Sequence, residues 1–104
     1  MSKKQIPNTL LLEIGFTNTV MINRIICILD IDTNPVKKMV SDNKAIGMLI
    51  DLTKDKKTKS AILMDNDYII LSPLNPETLN DRIARKGALI HGFKMEEPTN
   101  SKDI

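Results

Sequence analysis

Aromatic residues are scarce in this chain of 104 residues. They make up 3% of the sequence, with no tryptophan, one tyrosine and two phenylalanines. Proteins that bind single-stranded nucleic acid usually stack bases on several aromatic rings, and pockets for large organic ligands usually have aromatic walls. The composition therefore argues against a single-strand stacking platform and against a large aromatic ligand pocket. The composition does not argue against duplex DNA or other proteins as partners.

Residues that commonly carry catalysis or bind metals are also few. The single cysteine, Cys27, has no partner for an internal disulfide and lies in an apolar segment, which is typical of a buried small hydrophobe. The single histidine, His91, has no second histidine or cysteine nearby, so we expect a packing residue and no metal site. Gly15 and Gly47 are isolated, which excludes a glycine-rich phosphate loop. We predict that the chain is not an enzyme.

Long apolar segments are missing as well. The longest, Ile25–Leu29, is far too short to span a bilayer. No apolar stretch of the kind found in signal peptides follows the N-terminal Met1-Ser-Lys-Lys4. The sequence therefore predicts a cytoplasmic protein without a membrane partner.

The most distinctive feature is a cluster of positive charge. Lys54, Lys56, Lys57 and Lys59 lie within six residues, and with Asp55 this segment carries a net charge of four minus one, or +3. The whole chain carries +2, so the rest of it is slightly acidic. The positive charge is therefore local, and it could face a phosphate backbone.

Apolar segments flank this cluster at residues 48–53 and 60–64. We interpret the two segments as strands and the lysines as the turn of a β-hairpin between them. Two roles stay open for such a turn. It could bind phosphates through counterion release, or it could be a solvated turn whose lysines protect the edge of a sheet.

Similar patterns predict the other elements. Strands are expected at residues 10–14, 19–22, 25–31, 48–53, 60–64 and 68–72, with turns at 15–18 and 66–67. Asn34-Pro35 and Asn75-Pro76 both predict helix starts, because Asn caps free amides and Pro suits the first helical turn.

Gly47 and Gly87 then predict the helix ends, and residues 88–93 are expected to form a short strand or a partner contact. The fold class that follows is α+β, a small largely antiparallel β-sheet meander with two helices in a single domain. We place this domain at residues 10–93. Residues 1–9 are an N-terminal extension, and residues 94–104 have the composition of a disordered tail.

Four sequence blocks resemble the RemA family of extracellular-matrix regulators in both order and spacing. They contain the combinations Ile-Gly-Phe, Asn-Arg, Gly-Met-Leu-Ile-Asp and Pro-Glu-Thr, and the resemblance extends over roughly residues 10–86. The blocks are residues 14–24, 35–39, 47–51 and 71–78.

This resemblance implies a bacterial DNA-binding activator of biofilm-matrix genes, associated with the nucleoid. It also implies a ring of identical subunits that wraps or organises duplex DNA around its side. The implied partners are thus double-stranded DNA and other copies of the chain. Neither a cofactor, a metal nor a small-molecule substrate is implied.

The resemblance also suggests which residues contact DNA. The arginine of the Asn-Arg block is Arg24, and a basic pair after Gly-Met-Leu-Ile-Asp falls on Lys56 and Lys57. The family pattern has Arg-Arg at that pair, and lysine offers a point charge instead of a bidentate fork. We therefore expect contacts to phosphates, with Lys54 and Lys59 completing the patch.

Two alternatives stay open at this point. Arg24 could instead pair with Asp51 or Glu13 at a boundary between subunits. The ring could also be an interaction scaffold whose lysines bind RNA or an acidic protein, with no role in transcription.

Overall fold

The computed structural model describes residues 10–91, with side chains described for residues 10–86. This part of the chain contains six strands and two α-helices, and it confirms the predicted α+β class with largely antiparallel sheets. The elements in chain order are β1 (Leu11–Gly15), β2 (Asn18–Met21), β3 (Ile25–Asp30), α1 (Asn34–Ala45), β4 (Leu49–Asp51), β5 (Ser60–Met64), β6 (Ile69–Ser72) and α2 (Pro76–His91).

Strands β1 and β2 form a separate two-stranded antiparallel sheet, with the turn where the sequence predicts it. The two turn residues, Phe16 and Thr17, have φ of 53° and 62°, as a tight hairpin turn requires. Asn-Gly usually fills these positions, since the left-handed region costs other residues about 1–2 kcal/mol each. The turn is therefore strained, and contacts with the rest of the molecule must hold it.

The other four strands form one sheet in the order β3-β5-β6-β4. Strand β5 is antiparallel to both β3 and β6, and the predicted turn between β5 and β6 is confirmed at residues 65–67. The predicted hairpin between β4 and β5 is wrong, because β4 pairs in parallel with β6, which separates it from β5.

The burial of the strands explains this pairing. All four residues of β6 are buried, which suits a central strand, whereas two of the three residues of β4 are exposed, which suits an edge. Apolar periodicity identifies both segments as strands but does not say which strands are neighbours. The lysine-rich segment consequently crosses the end of β6.

Two apolar clusters lie on opposite faces of the four-stranded sheet. Helix α1 covers one face, where Val36 packs against Ala61, Ile69 and Leu71. The β1–β2 hairpin and α2 cover the other face. The buried residues of this second cluster are Leu12, Ile14, Val20, Ile62, Ile70 and Leu79.

The starts of the helices only partly match expectation. Asn75 caps α2, because its Oδ1 accepts a hydrogen bond of 2.9 Å from the amide of Thr78. The predicted cap of α1 is wrong, since Asn34 is already helical and the capping position belongs to Thr33, which makes no side-chain cap bond. Pro35 does lie in the first turn of α1, as predicted.

The ends of the helices also differ from each other. Gly47 follows α1 with φ of 75°, as predicted. Helix α2 does not stop at Gly87 but continues to His91. Of the two alternatives for residues 88–93, the short strand is therefore wrong as far as His91, the partner contact stays a prediction, and residues 92–93 lie outside the described residues. Glycine inside a helix costs only about 1 kcal/mol relative to alanine, which is too little to end one by itself.

Alanine substitutions at Gly15 and Gly47 test how tightly the hairpin turn is seated. Both glycines have positive φ, but a Cβ at Gly15 would lie 2.9 Å from Cγ of Pro73, whereas a Cβ at Gly47 would meet nothing within 4 Å. Gly47→Ala should therefore cost about 1 kcal/mol from backbone strain alone. Gly15→Ala should cost about 2–4 kcal/mol, because overpacking is added to the strain.

Denaturant unfolding of both variants at one protein concentration measures these differences. Equal losses of stability in the two variants would contradict the close packing of Gly15 on Pro73.

Candidate nucleic-acid interface

The lysine-rich segment crosses the end of β6 as a loop that is hydrogen-bonded at both ends. We call it the lysine loop (residues 52–59). At its start the amide of Leu52 donates to the carbonyl of Leu71 at 3.4 Å. At its end the amide of Lys59 donates to the carbonyl of Ser72 at 2.9 Å, and the carbonyl of Lys59 accepts from Ile31 at 3.3 Å. Both ends are thus bonded to β6, and the second end is also bonded to the residue that follows β3, which restrains the loop.

A carboxylate fixes the first turn of the loop. Thr53 is only 3% exposed, and its amide and hydroxyl donate to Oδ1 of Asp51 at 3.0 and 2.6 Å. These hydrogen bonds, the hydroxyl bond foremost, lower the pKa of Asp51, and the positive charge of Lys44 adds to the effect. The carbonyl of Thr53 then accepts from the amide of Lys56 at 2.9 Å, with Lys54 in the left-handed region at φ of 55°.

The structure brings the four predicted lysines together on this loop. Lys54, Lys56, Lys57 and Lys59 are all exposed, and none forms an ion pair with another residue that the structure describes. Lys54 makes one specific contact, with its Nζ 4.8 Å from the centre of the Phe16 ring. The positive charge of the loop is therefore available to an external anion.

The two sides of the loop differ in charge. On one side, three of its lysines line a groove of about 430 Å³ that also includes Phe16 and Pro73, and no carboxylate is among the described residues that line it. We call it the Phe16 groove. On the other side, Lys57 and Lys59 share a smaller recess of about 180 Å³ with Asp30 and Asp32. An anion is attracted more strongly to the Phe16 groove, because no negative charge opposes the lysines there.

Two buried serines support the floor beneath the loop. Ser60 and Ser72 are opposite each other in the β5–β6 register, and both are fully buried. The hydroxyl of Ser60 donates to the carbonyl of Leu74 at 2.6 Å. The hydroxyl of Ser72 donates to the carbonyl of Ile14 at 2.7 Å and accepts from the amide of Leu74 at 3.0 Å. These bonds join β1 to the end of the larger sheet.

Arg24 occupies a different place. Its Nε donates to Oδ2 of Asp65 at 2.7 Å, and its carbonyl accepts from the amide of Asp65 at 2.9 Å. Its partner within the chain is thus neither Asp51 nor Glu13. The side chain is 55% exposed. Because the ion pair engages Nε, the two terminal nitrogens of the guanidinium can still donate to a phosphate.

Arg24 and the lysine loop lie at opposite ends of β5. Lys59 precedes this strand, and Asp65, which holds Arg24, follows it. Asp65 is six positions after Lys59 along extended chain, which corresponds to about 20 Å. The DNA-contacting residues predicted from the sequence therefore lie at two separate points of a subunit and not in one compact site.

Two contacts of this surface could not be predicted from the sequence. The turn predicted at residues 66–67 does not indicate that Asp65 pairs with Arg24. Phe16 likewise gives no indication of its contact with Lys54, because the two residues are remote in sequence. The Asp51-x-Thr53 spacing is the one feature of the sequence that indicates how the lysine loop is anchored. An aspartate often accepts hydrogen bonds from the residue two positions further along the chain.

A metal site and a membrane-spanning helix receive no support from the described residues. Within residues 10–86 there is no group of three or more His, Cys, Asp or Glu side chains that could hold a metal ion. None of the helices in the described part of the chain has the length and apolar character needed to cross a bilayer.

Comparison with known proteins identifies relatives along most of the chain. Residues 11–83 match the model of the RemA-like family, described as extracellular matrix regulatory protein A-like. Extracellular matrix regulatory protein A of Bacillus subtilis is 42% identical over 76 residues, covering 73% of this chain and 85% of the relative. A relative in Desulforamulus reducens is 39% identical over 90 residues (86% and 96% covered), and one in Finegoldia magna is 49% identical over 72 residues (69% and 87% covered).

The anchor of the lysine loop can be tested through Thr53→Val. The variant keeps the side-chain shape but loses the hydroxyl bond to Asp51, so it should be less stable by about 1 kcal/mol at pH 7. A lowered pKa in the folded state stabilises the protein above the ordinary aspartate pKa of about 3.9, and this stabilisation is lost as the pH falls through the folded-state value. The difference between parent and variant should therefore shrink between pH 7 and pH 3.

Denaturant unfolding at several pH values measures the difference, and an NMR titration of Asp51 should show a higher pKa in the variant. A stability difference that stays constant down to pH 3 would contradict the charged hydrogen bond as the anchor.

Proposed function

The chain belongs to the RemA-like family, and on that premise we propose that it is a regulatory protein of extracellular-matrix genes that binds duplex DNA as a ring-shaped homo-oligomer. Residues 10–93 form the DNA-binding domain, which acts on the nucleoid in the cytoplasm. The role is regulatory and not catalytic.

One observation carries the proposal of DNA binding. The four lysines of the lysine loop are exposed, lack ion pairs among the described residues and extend from backbone that is bonded to the sheet at both ends. Lysines in such a position can displace the counterions condensed on a phosphate backbone, and the fixed loop determines where they point.

Contacts of this kind position DNA more than they identify its sequence. Lysine is a compact point charge that contacts phosphates and gives little information about bases. Sequence preference would then arise from the bendability and groove shape of the duplex. Arg24 supplies a second contact about 20 Å away along β5, an estimate that follows from the rise per residue of a strand.

A ring-shaped oligomer explains how so few cations in each subunit can suffice for DNA binding. Specific protein–DNA complexes bury on the order of 1,000 Å² or more of protein surface, which one loop cannot supply. Repeating the loop around a ring adds these contacts through avidity. Apolar side chains that would favour self-association are available, since Ile26, Ile46 and Ile50 are 57%, 67% and 39% exposed.

The lysine pair is tested by the double variant Lys56→Ala/Lys57→Ala. Both side chains are exposed, so stability should stay within about 0.5 kcal/mol of the parent. Affinity for duplex DNA should fall sharply, and the slope of log affinity against log salt should become shallower by about 0.9 for each phosphate that is no longer neutralised. Lys56→Arg/Lys57→Arg should preserve binding, because the charge is kept.

Lys37→Ala/Lys38→Ala is the matched control, because it also removes two adjacent exposed lysines, from α1. It should leave most of the affinity and the salt slope intact. Equal reductions of affinity in the two double variants would mean that only overall charge matters. Unchanged binding in the loop variant would make the loop a solvated segment.

Arg24→Ala distinguishes a DNA contact from a subunit contact. Its ion pair with Asp65 is exposed, and such pairs contribute only about 0–1 kcal/mol, so folding should be preserved. Light scattering should show the same closed oligomer, well above a dimer, while a mobility-shift assay should show weaker DNA binding.

Loss of the oligomer with residual DNA binding would instead assign Arg24 to the subunit interface. A parent chain that is monomeric at micromolar concentration would contradict the ring.

A further inference from the structure

Phe16 contacts the lysine loop but does not belong to the apolar core. Its ring lies 4.8 Å from Nζ of Lys54, and its side chain is only partly buried. Neither of the two apolar clusters among the described residues includes it. Core packing therefore does not explain why an aromatic side chain stands at the tip of the β1–β2 turn.

The backbone on both sides of this contact is strained. Phe16 and Thr17 have φ of 53° and 62°, and Lys54 has φ of 55°. Three residues other than glycine thus have left-handed backbone conformations at the place where the β1–β2 turn and the lysine loop meet. Such conformations persist only where surrounding contacts hold them, and they are concentrated at functional sites.

The β1–β2 turn is also fixed to the same end of the sheet as the lysine loop. Gly15 packs so closely on Pro73 that a Cβ there would lie 2.9 Å from Cγ of Pro73. One residue earlier, the carbonyl of Ile14 accepts the buried hydroxyl of Ser72 at 2.7 Å. Since the amide of Lys59 donates to the carbonyl of Ser72, the turn and the loop are both bonded to one residue of β6.

This arrangement places Phe16 among the lysines. Lys54 lies over the ring, while Lys56, Lys57 and Lys59 line the Phe16 groove, whose described lining residues include no carboxylate. A free lysine side chain samples many rotamers, and attraction to the negative face of an aromatic ring restricts it. The Phe16 ring thus orders the Lys54 cation at the edge of the Phe16 groove, where no carboxylate among the described lining residues would repel a phosphate.

We propose that Phe16 is a positioning residue for the DNA contact, whose ring holds Lys54 so that the β1–β2 turn and the lysine loop bind phosphates as one unit. This inference rests on the proposed DNA binding of the lysine loop. It adds a residue remote in sequence from the lysines, and it assigns to Phe16 an electrostatic role that an aliphatic side chain cannot fill.

Duplex DNA titrations across a salt series test this role. Phe16→Leu removes the ring, and pentafluorophenylalanine at position 16 keeps the shape but removes the negative ring face. Each should weaken binding by roughly two- to fivefold per engaged subunit, and Lys54→Met should weaken it at least as much, because it removes the cation itself. The double variant Phe16→Leu/Lys54→Met should bind no more weakly than Lys54→Met alone, because the ring acts only through that lysine. Phe16→Tyr, which keeps the ring face, should bind like the parent.

Light scattering and melting temperature serve as the structural controls. The fluorinated variant preserves packing, so it decides the question even if Phe16→Leu assembles poorly. Unchanged affinity in the fluorinated variant, or reductions that multiply in the double variant, would overturn the positioning role while leaving DNA binding intact. A parent chain that does not bind duplex DNA would overturn the proposed function and this inference together.

Discussion

Parallel pairing between β4 and β6 determines where the lysine cluster of this protein lies. Had β4 paired with β5, the lysines would have formed the tip of a hairpin, extending away from the fold and attached only through two strands. With β6 between them, the chain must cross the end of a buried strand, and its backbone bonds to that strand on both sides. The lysines are consequently held against the sheet, close to the β1–β2 turn and the Phe16 groove.

Hydrogen bonds of buried hydroxyl groups hold the lysine loop in place where it crosses the end of β6. Thr53, Ser60 and Ser72 are the buried polar residues of the described chain, all at the end of the sheet that carries the loop, and each donates a hydrogen bond through its hydroxyl. A buried polar group left without a partner costs about 1–3 kcal/mol, so these three bonds favour one arrangement of the loop over others. No buried side-chain nitrogen or oxygen among the described residues lacks a partner. A loop fixed in this way presents its cations with little further ordering.

Local patterns in the sequence predict the elements well and their neighbours poorly. The β1–β2 turn, the β5–β6 turn and the cap at Asn75 follow from residues adjacent in sequence, and the structure confirms them. The pairing of β4 depends on which apolar strand can be buried on both faces, a property of the whole sheet. For the site, clustering identified the four lysines, whereas Phe16 and Asp65 depend on contacts across 38 and 41 residues of sequence. No local pattern could identify such contacts.

The residues proposed to contact DNA are divided between the lysine loop and Arg24, at opposite ends of β5, which suits an extended polyanion better than a small ligand. A titration of the unmodified chain with duplex DNA, single-stranded DNA and RNA of equal length, at several salt concentrations, tests this directly. The chain is expected to bind the duplex most tightly, and log affinity should fall linearly with log salt concentration. Binding should persist when the duplex sequence is scrambled. Equal or stronger binding to RNA, or duplex binding that is insensitive to salt, would contradict recognition of a DNA backbone by the lysine loop.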